Sequence, residues 1–85
     1  MAKNLMRIDV KDNVAIALAA MEAGDTGVLL GTEEQIQVLD KVPTSHKVAV
    51  RDIAKGEEII KYGEVIAVAE LDIGKGCWVH NHNIQ

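Results

Sequence analysis

The pentapeptide Asp52-Ile53-Ala54-Lys55-Gly56 recurs, with one change, as Asp72-Ile73-Gly74-Lys75-Gly76. Each copy sets an isoleucine to point inward and ends on a glycine that permits a positive-φ turn into the next strand. The first copy leads into Ile59-Ile60 and the second into Trp78-Val79. Two equivalent corners so close together predict a small, pseudo-repetitive β structure, since a solenoid needs more copies.

The remaining stretches fit that frame. Leu5-Met6-Arg7-Ile8-Asp9 reads as a first strand, and Val28-Leu29-Leu30 as a short apolar strand ended by Gly31. Gln35–Leu39 and His46–Arg51 alternate with period two, the mark of half-buried strands, and Pro43-Thr44-Ser45 breaks the chain between them. Val65-Ile66-Ala67-Val68-Ala69 is apolar on both faces and is expected to be the most buried strand, entered by a turn at Tyr62-Gly63. One helix is expected, from Asn13 to about Glu22. Asp12 would cap its free amides, Val14, Leu18 and Met21 would form an apolar stripe, and the alanines would supply propensity before Gly24 stops it. The fold class is therefore mainly β, a single domain over residues 1–85 with one short α-helix near residues 13–22.

A chain of 85 residues without phenylalanine, whose only aromatics besides histidine are Tyr62 and Trp78, builds its core from aliphatic side chains. So small a domain buries only about 60% of its unfolded surface, which favours a homo-oligomer or docking on a larger partner. The net charge of −4, with no basic cluster, argues against nucleic acid. One cysteine excludes an internal disulfide and fits a reducing compartment. Met1-Ala2-Lys3-Asn4 opens no signal peptide, and no apolar run reaches the eighteen or so residues of a membrane span. A soluble, cytoplasmic chain is expected.

Chemistry concentrates at the end, in Gly76-Cys77-Trp78-Val79-His80-Asn81-His82-Asn83. Extended, this stretch puts Trp78, His80 and His82 on one side and Cys77, Val79, Asn81 and Asn83 on the other, with the two imidazoles about 6–7 Å apart at the backbone. They are then candidates to share a metal ion or an anionic ligand, or are simply exposed rings on a terminal strand, since one His-x-His pair is a weak metal signal. Asn83 either orients an imidazole or ends the strand. His46 lies on the side of Val48 and Val50, as a hydrogen-bonded structural residue or a base. Lys47 faces the other way, most simply as an edge-strand charge. Lys61-Tyr62-Gly63 makes a turn with Tyr62 half-buried. Cys77 reads as a packing residue, and Trp78 as core or interface anchor.

Four segments in order carry a family resemblance: Asp12-Asn13-Val14-Ala15, His46-Lys47-Val48-Ala49, Lys61-Tyr62-Gly63-Glu64 and Val79-His80-Asn81-His82-Asn83. With the Asp-Ile-x-x-Gly corners, the chain resembles the SAF (antifreeze-like, β-clip) domain of the altronate and galactarate dehydratase family. It departs from the family at Ser45, where Gly usually precedes the His-Lys pair, and at Ala67, where Gly often interrupts the apolar strand. The resemblance implies the small subunit of a sugar-acid hydro-lyase, inactive alone, whose active site is shared with a larger catalytic subunit. It implies His80, His82 and His46 as catalytic residues, His80 and His82 as metal-facing, and Asn83, Lys47, Lys61 and Tyr62 as contacts to a small carboxylate substrate. The expected cofactor is a divalent metal, iron or similar, held mainly by the larger subunit. The alternatives are a sulfolactate sulfo-lyase small subunit, and a non-catalytic small-carboxylate-binding or adaptor module.

Overall fold

The computed structural model of the protein describes residues 3–85. Eight strands run in the order β1 (Lys3–Met6), β2 (Val14–Ala17), β3 (Thr26–Leu29), β4 (Gln35–Gln37), β5 (Lys47–Ala49), β6 (Glu58–Lys61), β7 (Glu64–Val68) and β8 (Trp78–Val79). Six of them form one sheet in the order β4-β3-β1-β2-β5-β8, and β6-β7 form a separate hairpin. All pairs are antiparallel except β1 with β3. Among the described residues there is no helix, and hence none long and apolar enough to cross a membrane.

The expected helix at residues 13–22 is instead β2 followed by bends. Its backbone pairs on both sides, with β1 through Leu5↔Ala17 and with β5 through Val14↔Ala49 and Ala15↔Val48. Alanine's helix preference amounts to a few tenths of a kcal/mol per residue and yields to a strand hydrogen-bonded along both edges. The alanines serve the sheet by being small. Ala15 and Ala17 are buried at the centre, where larger side chains would push the covering elements away. Met21 then bridges Val42 in antiparallel pairing, which anchors the segment after β2.

Alternation along the strands sorts the core into two clusters, one on each side of the sheet. Ala15, Val48 and Val50 join Leu5, Met21, Leu29, Ile36 and Val38 on one side, with Trp78 packed against them. Val14, Ala49 and Val79 join Ile53, Ile59, Ala69 and Ile73 on the other, with Cys77 against them. The most buried strands are thus β2 and β5, not the run 65–69. In β7 Val65 is 53% exposed, Ile66 46% and Val68 42%, and only Ala69, just beyond it, is buried. The run is uniformly apolar, yet its hairpin has no sheet of its own to pack between, so side chains on both of its faces meet solvent.

The twin corners meet each other. Ile53 and Ile73 form an antiparallel bridge with reciprocal backbone hydrogen bonds of 2.8 and 2.7 Å. Asp52 accepts from the Lys75 amide (2.9 Å) and Asp72 from the Lys55 amide (2.8 Å), so each corner caps the other. Both isoleucines are buried, as the repeat predicts. At Gly76 (φ +93°) a side chain is excluded twice, because a Cβ there would also collide with the Gln37 carbonyl.

Candidate functional site

Three segments converge on Trp78. The tail is extended only as far as Val79. Beyond it the chain turns back, and the amides of Asn83 and Ile84 both bond the His80 carbonyl. The expected alternation past residue 79 is therefore replaced by a turn, which still brings the rings together. The Trp78 and His80 rings lie 5.1 Å apart with planes 7° from parallel, and His82 lies 5.1 Å from Trp78 at 43°. His46 joins from before β5, 4.8 Å from His80 and 5.6 Å from Trp78. The Trp78 indole Nε1–H donates to His46 Nδ1 at 3.2 Å. His46 and His80 are half-buried and His82 is exposed.

Each ring is held from behind by the backbone. His46 closes a turn by donating to the Pro43 carbonyl, while its own carbonyl and the Ser45 amide both pair with Ala17. Ser45 there has φ +72°, a conformation that glycine adopts freely, which accounts for the resemblance pattern having Gly at this position. Trp78 is fixed at its amide by Asp40 Oδ2 (2.9 Å). Asn83 orients no imidazole. Its Oδ1 accepts from the His80 amide at 3.0 Å and its Nδ2 donates to the Trp78 carbonyl at 2.8 Å, so its buried amide ties the tail turn shut.

Lys47 and Lys61 extend the site. Burial pushes the Lys47 ammonium below its ordinary range, and the nearby Lys61 charge pushes it further. Desolvation holds the His80 imidazole below its usual value, helped by positive charge at His46, Lys47 and His82. Lys61 and Tyr62 sit at the β6–β7 turn, with the Lys61 ammonium 4.8 Å from the Tyr62 ring centre and Tyr62 itself exposed rather than half-buried. Among the described residues the ion pairs are Lys3–Asp25, Arg51–Glu57 and Lys75–Glu34, which leave both site lysines out. A chain of net charge −4 has thus set three imidazoles around one indole, with the Lys47 charge acting on His80 and that of Lys61 on Lys47, an arrangement suited to an anion.

A metal fits less well. A protein metal centre of this kind takes three or four ligands. Among the described residues no three His, Cys, Asp or Glu side chains converge as one, and the His46 Nδ1 is already engaged by Trp78. His80 and His82 can therefore contribute to a metal only if other ligands come from another chain. Cys77 is half-buried against the second core cluster, with its thiol pushed up by burial, and behaves as a packing residue. A shallow groove of about 440 Å³ at the twin corners is lined by Asp52, Ile53, Ala54, Glu57, Asp72, Ile73 and Gly74, away from the histidines.

Two residues that local sequence assigns to a helix start in fact place Lys61 and Tyr62. Asn13 is fully buried, its Nδ2 donating to the Glu58 carbonyl and its Oδ1 accepting from the Ile60 amide, both at 2.8 Å. Asp12 Oδ1 accepts from the Gly63 amide (2.8 Å) and Oδ2 from the Asp9 amide (3.1 Å). Burial raises the Asp12 pKa, but the amides of Gly63, Asp9, Tyr62 and Ile8 outweigh it and leave the carboxyl below its ordinary value. The local signal, a short polar pair before an apolar run, is the same for a helix cap and for this cross-link. Asp40 carried no local signal.

A family model, the altronate/galactarate dehydratase SAF domain, matches residues 3–85. Altronate dehydratase of Escherichia coli (strain K12) is 42% identical over 80 residues, which is 94% of this chain and 16% of that protein. Galactarate dehydratase (L-threo-forming) of the same organism is 37% identical over 76 residues, 87% of this chain and 14% of that protein. The (2R)-sulfolactate sulfo-lyase subunit alpha of Chromohalobacter salexigens is 35% identical over 82 residues, covering 91% of this chain and 87% of that subunit. The chain thus spans about a sixth of the dehydratases it matches, but most of a relative that is itself one subunit of an enzyme. It belongs to the SAF domain family of altronate and galactarate dehydratases.

Proposed function

We propose that this SAF domain is the small component of a cytoplasmic sugar-acid hydro-lyase of the altronate or galactarate type, completing an active site on a larger catalytic polypeptide. The observation that carries the reading is the gathering of His46, His80 and His82 around Trp78, beside two lysines without ion-pair partners among the described residues. Membership of the family and the small share of each dehydratase that the chain spans support the larger partner.

In this reading Lys47 and Lys61 attract the substrate carboxylate. The proton on the adjacent carbon passes to a base, its electron pair forms the new double bond, and the β-hydroxyl leaves as water after taking a proton. The resulting enol then becomes the 2-keto-3-deoxy acid. His80, kept below its ordinary range, is neutral near pH 7 and able to accept a proton. Charge that develops on the carboxylate side meets fixed ammonium and imidazole groups. Asn83 acts from behind by shaping the turn, and Tyr62 borders the site at the hairpin tip. A divalent ion of the kind expected for the family would polarise the carboxylate side of the substrate and would be held mainly by the larger polypeptide; His82, and His80 only where it does not serve as the base, would be this chain's residues to hold it.

A second reading is the small subunit of a sulfo-lyase, in which sulfite departs in place of hydroxide. The coverage of 87% of the sulfolactate enzyme's subunit favours it. Co-purification with the larger chain, followed by turnover of altronate, galactarate and sulfolactate, separates the two. His80→Ala and His82→Ala are each expected to lower turnover about 100-fold or more, the low end of what a proton-transfer group contributes, with the complex still assembled. Unchanged turnover in both variants would reduce the tail to scaffold, and a chain that binds a small carboxylate without any partner or turnover would make it a binding module.

A further inference from the structure

Trp78 does more than fill space between the histidines. Its indole N–H has one acceptor, the His46 Nδ1 at 3.2 Å, and a nitrogen that accepts this bond carries no proton of its own. The neutral His46 ring must then carry its proton on Nε2. The indole face meanwhile lies offset-stacked on His80, with planes 7° apart and centres 5.1 Å apart, and His82 lies against the indole at a tilt of 43°. The tryptophan is itself immobilised, by Asp40 at its amide, by Asn83 at its carbonyl and by the first core cluster along its ring.

We propose that Trp78 is a positioning residue that sets the tautomer of His46 and the ring plane of His80, so that His46 meets an anionic ligand as an Nε2–H donor. The anion-site half of this statement rests on the function proposed above. The tautomer half does not. A neutral imidazole in this state offers a hydrogen-bond donor without needing a charge. The same plate fixes the plane of the His80 ring, 7° from its own.

The test reads the imidazole nitrogens of the whole chain by ¹⁵N NMR at a pH where the rings are neutral. The wild type is expected to show His46 protonated on Nε2 and bare on Nδ1, and a proton found on Nδ1 overturns the proposal. Trp78→Phe keeps a ring to stack on and removes the N–H. Its His46 tautomer ratio is expected to fall about fivefold toward a mixture, the factor that one ordinary hydrogen bond carries. An unchanged ratio overturns it. Should Trp78→Phe fail to fold, His46→Ala supplies the reciprocal reading, with indole N–H exchange of Trp78 expected to accelerate at least fivefold; no acceleration overturns the proposal. In the reconstituted enzyme Trp78→Phe, which keeps the plate beside His80 and loses the donor that fixes His46, should raise KM more than it lowers kcat. A loss of turnover without any tautomer change would make Trp78 structural only, and a tautomer change with no lyase activity in the wild type would sink the functional reading and leave this one standing.

Discussion

Asn13→Ala tests how the hairpin carrying Lys61 and Tyr62 is held to the sheet. The Asn13 side chain is fully buried and mimics a strand residue, giving one bond to the Glu58 carbonyl and taking one from the Ile60 amide. Truncation leaves both backbone groups without that partner, at about 1–3 kcal/mol for each that stays dry. Water can reach part of this seam, since Glu58 is exposed and Ile60 half-buried, so the total is set at about 2–4 kcal/mol. A domain of this size has only about 4–13 kcal/mol of stability in all, so the loss is readable by urea unfolding. The local effect is more diagnostic. Exchange of the Ile60 amide should accelerate about 30- to 700-fold, the same energies converted at 1.4 kcal/mol per decade, while the Leu29 amide in β3 accelerates no more than global unfolding requires. Under the proposed function, KM with the larger polypeptide present should rise, because the lysine at the hairpin tip loses its place. A destabilisation below about 0.5 kcal/mol, or equal acceleration throughout, would show that the hairpin is held by its apolar contacts and that the asparagine cross-link is incidental.

Gly56 and Gly76 have nearly the same backbone angle, +88° and +93°, but only Gly76 faces a collision, with the Gln37 carbonyl, while nothing lies within 4 Å of a Cβ on Gly56. Gly56→Ala should cost about 1–2 kcal/mol from left-handed strain alone, and Gly76→Ala clearly more by thermal unfolding; equal costs would show that the β4–β8 approach relaxes freely. The Asp12 carboxyl has its folded pKa lowered, so its stabilisation is fully present above the ordinary carboxylate value of about 3.9 and is lost as pH falls through the folded pKa. The stability gap between wild type and Asp12→Asn should therefore be constant from neutral pH down to about 5 and shrink below 4, as followed by urea unfolding at each pH. A gap that widens with acid would reverse the sign assigned to this carboxyl.

Much of this protein was legible from spacing alone. The paired Asp-Ile-x-x-Gly corners announced a pseudo-repetitive β fold, and Ile53 and Ile73 do point inward and meet. The alternation of Cys77 and Trp78 placed one on each core cluster, and residues 46–51 and 35–39 each yielded a strand, shorter than expected at Lys47–Ala49 and Gln35–Gln37. The four motif segments pointed to the family to which the chain belongs, and the histidines they contain were found beside one another. Two expectations failed for one reason. Residues 13–22 have good helical propensity, and residues 65–69 are uniformly apolar, yet the first became a doubly paired central strand and the second a half-exposed hairpin arm.

Period and composition are local properties, and they determine which side chains can share a face and where the chain must turn. They do not determine which strand lies next to which, because that depends on hydrogen bonds between residues far apart in the chain. Asn13 to Ile60, Asp40 to Trp78 and Trp78 to His46 are bonds of this kind. The sequence by itself therefore settled a small β domain that keeps its tryptophan and two of its histidines in the tail, while tertiary structure decided that the tail turns back after Val79 and that His46 joins its rings. A backbone donor or acceptor left unpaired inside the fold costs more than any residue's local preference, so long-range pairing had the last word.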